Sequence, residues 1–260
     1  MKRLPVLLGV VSLIWLLTSC SSDKEESAVA EKDHQVLDFD TMWNYGDPAG
    51  TRARFAELLP VAEEEGNRSY YLQLLTQIAR THGLEANFDS AHAILDSVAE
   101  QKTDDLPLVH VRYLLERGRT FRSAGETAKA LPLFVEAFEK SRSHGADFFT
   151  IDAAHMVALV ETEPEIKRSW NLTGCEIAEA STDPRARNWR GSLYNNMGWD
   201  LHESGQYDKA LEMFEKALVA REEQGNEENI SIARWCVGRC YRSLGRVDEA
   251  LEVQQALLAT

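Results

Sequence analysis

At 260 residues, with 44% hydrophobic and 27% charged side chains, the chain is long enough to bury a core and too apolar for a disordered segment. Seven prolines and 15 glycines exclude a collagen-like or low-complexity chain, and the abundance of Ala, Leu, Glu and Arg favours helix over strand. A formal charge of −14 speaks against nucleic acid as the partner, because phosphate binding calls for a net basic surface, although a local basic patch stays open.

The chain begins with a short basic start, Met1-Lys2-Arg3, followed by an apolar run from Leu4 to Leu17. Such a run has the length of a signal-peptide core and is too short for a comfortable membrane span. It closes on Leu17-Thr18-Ser19-Cys20, which resembles the lipobox of bacterial lipoproteins. The resemblance implies a signal peptide over residues 1–19, with Cys20 as first mature residue and point of lipid attachment. Acyl chains there would anchor the protein without a transmembrane helix. Ser21, where an aspartate is absent, implies by the same resemblance an outer-membrane destination facing the periplasm. The alternative is an ordinary secretory signal in which the cysteine fell by chance. Residues 20–35 are polar and lack apolar periodicity, which predicts a flexible tether.

Helices are predicted from there on. Leu37–Tyr45 and Thr51–Glu65 read as an irregular first pair, separated by Gly46-Asp47-Pro48-Ala49-Gly50. A repeat then sets in. Leu75, Ile78, Ala79, Phe88, Ala91, Leu95 and Val98 are followed by Leu114, Gly118, Phe121, Gly125, Ala130, Phe134 and Ala137. The set returns as Tyr194, Gly198, Leu201, Gly205, Tyr207, Ala210, Phe214 and Ala217, and once more as Val237, Gly238, Tyr241, Gly245, Val247 and Ala250. The small residues Ala79, Gly118, Ala158, Gly198 and Gly238 are spaced 39, 40, 40 and 40 apart. The stretch 147–190 keeps Ala158 but puts Glu161 where an aromatic belongs and Trp170 where alanine does. Glu163-Pro164-Glu165 breaks the helix there, and the second helix of this stretch is predicted over Lys167–Ala180. The sequence given stops at Thr260 within the last predicted helix, which leaves two expectations: a continuation, or an apolar face that docks on something.

This pattern resembles the tetratricopeptide repeat. The resemblance implies an all-α, right-handed α-solenoid of about five to six helix pairs with a period of about 40 residues, spanning 36–260, with 147–190 as a degenerate repeat. It implies that the small residue lets the partner helix approach and that the glycine near the turn supplies a C-cap. It also implies a ligand groove lined by the first helix of each pair. Carried over position by position, the groove receives Arg80, Arg112, Arg119 and Arg122, then Asp152 and His155 from the degenerate repeat. Asn195, Trp199, His202, Trp235, Arg239 and Arg242 follow from the last two repeats. Arginine suits bidentate capture of carboxylates, the two tryptophans suit stacking, and Asn195 suits a peptide backbone. A groove for a partner protein or an acidic peptide is therefore expected. The family's full lysine and asparagine clamp is not reproduced. The alternative is that the arginines pair with glutamates of neighbouring helices and both tryptophans are packed.

Chemistry is mostly missing from the sequence. There is no Gly-rich phosphate loop, HExxH or GxSxG motif, and the seven histidines lack ligand-like spacing. Cys236 and Cys240 share a helix face without two further zinc ligands nearby. They read as buried small side chains or, in an oxidising compartment, as a redox or disulfide pair. No catalysis, cofactor or metal is expected. The function expected is a membrane-anchored interaction scaffold. Two rivals remain: a receptor for a small acidic ligand such as a cell-wall fragment, which a closed, deep pocket would favour, and the recruiting part of a longer regulatory or enzymatic protein.

Overall fold

The computed structural model describes residues 37–101 and 103–259. The signal peptide, lipid attachment at Cys20 and tether fall outside the described residues. Among those described, every regular element is helical and no strand occurs.

The first segment departs from expectation. Leu37–Tyr45 forms no α-helix but one 3-10 turn, Phe39–Met42. Local side chains take the backbone there: the Asp38 carboxylate accepts from the Asp40 N–H, and Asn44 Oδ1 from the Gly46 N–H, both at 3.0 Å. Such Asx contacts compete with helix formation. Helix α1 (Pro48–Glu64) then starts inside the stretch expected to be a spacer, because Asp47 caps it and Pro48 occupies its first turn.

Five helix pairs follow. They are α2 (Arg68–Leu84) with α3 (Phe88–Gln101), α4 (Pro107–Ser123) with α5 (Thr127–Ser143), and α6 (Asp147–Val160) with α7 (Pro164–Ala180). After a single-turn helix α8 (Pro184–Arg187) come α9 (Arg190–Glu203) with α10 (Tyr207–Gln224), and α11 (Glu227–Ser243) with α12 (Val247–Leu258). Helix α7 begins at Pro164 rather than at Lys167. The Glu161 carboxylate accepts the N–H groups of Thr162 and Glu163 at 2.8 and 3.2 Å, so the chain leaves α6 extended and enters α7 on its proline.

The periodic small residues have a steric cause. A methyl group built on Gly118 would lie 2.4 Å from the Phe134 ring, and one on Gly198 2.5 Å from Phe214. Phe55, Phe134 and Phe214 are themselves fully buried. The turns are equally specific. Gly125, Gly205 and Gly245 sit at φ between +74° and +82°, and the N–H of the following residue bonds back into the helix, as Glu126 does to the Phe121 carbonyl at 2.8 Å. In the first full repeat that left-handed position is held by Ala86, φ +58°.

Packing identifies an inner face. First helices of successive pairs touch, α2 with α4, α4 with α6, and α9 with α11, while successive second helices barely meet. The stack therefore closes up on the side of α2, α4, α6, α9 and α11, the side to which the candidate residues were assigned. Helix α8 lies against α6 and α7 and breaks the regular succession between α6 and α9. The result is a TPR-like repeat fold of eleven long helices packed pairwise.

Candidate binding surface

The inner face has two halves with different electrostatics. In the N-terminal half, three expected arginines are committed to carboxylates of the same chain. Arg112 of α4 bonds Gln73 Oε1 at 3.1 Å and the Asp40 carboxylate, with its guanidinium between the rings of Phe39 and Phe149 at 5.0 and 4.8 Å. Arg119, one helical turn beyond Glu116 on α4, donates to Glu116 at 2.7 Å and to both Asp152 oxygens at 2.5 Å. Arg80 of α2 reaches Glu116 at 3.3 Å and lies 5.4 Å from the rings of Trp43 and Tyr45, which stack on each other. Arg122, on the last turn of α4, is exposed and forms no ion pair among the described residues.

These pairs surround a cavity of about 400 Å³ between the 3-10 turn, α2, α4, α6 and the α8–α9 connection. Trp43, Tyr45, Phe148, Phe149 and Trp189 supply much of its apolar wall. Its arginines are Arg80, Arg112, Arg119 and Arg185, and its carboxylates are Asp38, Asp40, Glu116 and Asp152, so the lining is formally neutral. Burial alone would push the Asp152 carboxyl up, but the charge and hydrogen bonds of Arg119, with Arg80 and His155 behind them, hold it below the ordinary value. Burial would likewise lower Arg119, and Asp152 and Glu116 outweigh it, so this guanidinium stays charged. His155 is held below its usual value by burial, against the attraction of Asp152.

The C-terminal half is open. Trp235 of α11 is 45% exposed and Ile232, one turn before it, 52%. The Trp199 ring lies 6.0 Å from that of Trp235, tilted by 36°, and is backed edge-on by Phe214. Arg239 donates to Ser243 Oγ at 2.6 Å; neither it nor the exposed Arg242 forms an ion pair among the described residues. His202 is buried between Trp199 and Tyr207, with Nε2 2.9 Å from Ser243 Oγ, and burial beside Arg239 keeps its pKa low. Asn195 is half-buried, its Oδ1 3.3 Å from Cys236 Sγ.

Sequence reasoning missed Asp40, Glu116 and Arg185, and they organise the first half. Arg185 bonds the same Asp40 at 2.9 Å and covers the Phe148 ring at 4.1 Å. The Asp183-Pro184 pair that starts α8 was its available signal, since Asp183 caps the helix and Pro184 opens it. The three described cysteines are free and buried. Burial pushes Cys175 up to about 12 and Cys236 to about 11, which leaves both as protonated thiols. Among the described residues no group of three or more His, Cys, Asp or Glu is placed to hold a metal, and no helix is long and apolar enough to cross a membrane.

Residues 189–260 match the tetratricopeptide repeat family. No curated protein matches the whole sequence significantly. Among solved structures, BtubC (BKLC) from P. vanneervenii superposes with a TM-score of 0.64 at 17% identity, over 84% of this chain and 94% of that one. The apo form of RapI gives 0.64 at 14% identity, over 83% of this chain and 64% of that one. A putative kinesin light chain of Podosopora anserina with nearly identical TPR-like repeats gives 0.56 at 15% identity, over 72% and 93%. At these identities the likeness establishes the fold alone, a TPR-like helical repeat, and the family match covers the C-terminal part of the chain.

Proposed function

We propose that the protein is a non-catalytic recognition module whose working surface is the C-terminal half of the inner face, and that its ligand is a segment of another protein. The observation that carries this is the platform of Ile232, Trp235 and Trp199 flanked by Arg239 and Arg242, whose charges no carboxylate of the chain meets among the described residues. Half-exposed tryptophans beside unpaired arginines are the residue types that dominate binding energy at interfaces. A chain with formal charge −14 keeps those cations for an acidic or carboxylate-bearing partner, with apolar side chains on the tryptophans. The lipobox-like Leu17–Cys20 supports placing this module at a membrane through Cys20, in the cell envelope.

Peptide display on the immobilised protein tests the proposal. Enriched sequences are expected to combine acidic with apolar or aromatic residues and to lose binding to Trp235→Ala and Arg239→Glu. Enrichment that both variants retain would move the interface off this platform. A second reading, a receptor for a small carboxylate ligand, is favoured by the arginine-lined cavity in the other half. Because the charges there are matched, an anion enters only by replacing a carboxylate of the chain.

A further inference from the structure

The cavity's neutrality depends on one short segment. Asp38 and Asp40 come from the stretch around the 3-10 turn; without them, Arg80, Arg112, Arg119 and Arg185 would face only Glu116 and Asp152. The segment enters the inner face like a ligand. Its Asp40 carboxylate is shared by Arg112 and Arg185, which are 72 and 145 residues away in sequence. Three residues on, Trp43 donates its indole N–H to Gln77 Oε1 at 3.2 Å and lies beneath the Arg80 guanidinium. The backbone ties of the segment run to α1: Arg54 donates to the Met42 carbonyl at 3.3 Å, and the Asn44 N–H to Thr51 Oγ1 at 3.1 Å. Its anchor is Phe39, buried against Phe55 and Tyr70. Glu116 is 3% exposed, and its Oε2 atom, shielded from solvent on the same cavity, has no hydrogen-bond partner. An unpartnered buried carboxylate oxygen is costly, and an N–H donor from a ligand would satisfy it.

We propose that this chamber is a second, anion-binding site and that Asp38–Tyr45 is its built-in occupant. Its external ligand is then a peptide segment of the same chemistry: a carboxylate for Arg112 and Arg185, followed three residues later by an aromatic ring beneath Arg80. The resident segment competes with that ligand, so apparent affinity is reduced by the fraction of time the seat is filled. The inference does not rest on the Trp199–Trp235 platform, and either site can fail alone.

The probe is a labelled peptide with the sequence of residues 38–45, Asp-Phe-Asp-Thr-Met-Trp-Asn-Tyr, followed by anisotropy on the full chain. Against Asp40→Ala/Trp43→Ala, which empties both seats, it is expected to bind at least about tenfold tighter than against the native chain. A peptide with Asn at the second Asp is expected to lose that gain, as is Arg185→Ala added to the double variant. Equal affinity for both proteins would overturn the proposal, as would binding that survives the Asn substitution. Equal binding by an acidic dipeptide would also overturn it, by reducing the site to a plain carboxylate seat. Should the double variant unfold, hydrogen exchange at residues 38–47 of the otherwise native chain decides. Arg185→Ala is expected to speed that exchange, and unchanged protection would make the segment a fixed part of the fold.

Discussion

Arg119 and Arg239 occupy equivalent places on the inner face, each one residue past the small glycine of its helix, yet they live in opposite electrostatic circumstances. Arg119 lies between two buried carboxylates, whereas Arg239 is half-buried and touches a serine hydroxyl. The difference comes from what adjoins each. Asp152 of the degenerate repeat faces Arg119, and the Asp38–Tyr45 segment, with its own Asp40, closes over the same half of the face. Among the described residues no carboxylate pairs with Arg239 or Arg242 of α11. The same repeat position is therefore ion-paired in one half and, among the described residues, without a carboxylate partner in the other.

The widest separation between the halves is expected in stability. Asp152→Asn leaves Arg119 buried with Glu116 alone and is expected to cost about 3 kcal/mol in urea denaturation. Arg242→Ala, at the exposed end of α11, is expected to stay within about 0.5 kcal/mol of the native protein. Similar costs for both would erase the distinction. Binding should show the reverse order: Trp235→Ala is expected to weaken a display-selected peptide by about 2 kcal/mol, read by titration calorimetry, with an unchanged melting temperature.

A smaller effect sharpens the comparison through pH. Burial holds His155 and His202, one in each half, below the ordinary imidazole value near 6.5. The unfolded chain therefore binds protons that the folded chain refuses, and stability is lost as pH falls through that unfolded value. Melting temperature is expected to drop between pH 7.5 and 5.5, and His155→Gln or His202→Gln to flatten the drop; a drop unaltered in both would assign it to other groups. Smallest is Ala86→Gly, which relieves a left-handed alanine where the later repeats have glycine and should raise stability by about 0.5–1 kcal/mol.

What the sequence made legible was whatever the repeat dictates. Gly118, Gly198 and Gly238 announced close helix contacts because an aromatic or branched side chain fills each gap, and Gly125, Gly205 and Gly245 announced left-handed turns. The same register is why Trp199, Trp235 and the arginines could be assigned to the first helices of their pairs, where they lie. Their partners were not legible. Asp40 and Arg185 belong to segments outside the repeat, and a contact across 145 residues leaves no trace in local periodicity. Ala86 escaped notice because its strain lies in φ, which alanine does not announce as glycine does.

The most direct test compares two arginines, one from each half, that form no ion pair among the described residues. Affinity for a display-selected peptide would be measured for Arg239→Glu and Arg122→Glu, each checked for native melting. Arg239→Glu is expected to lose about tenfold or more, since it reverses a cation beside the tryptophan platform, while Arg122→Glu stays within about twofold. Equal losses, or a greater loss from Arg122→Glu, would contradict the assignment of the open C-terminal half as the binding surface.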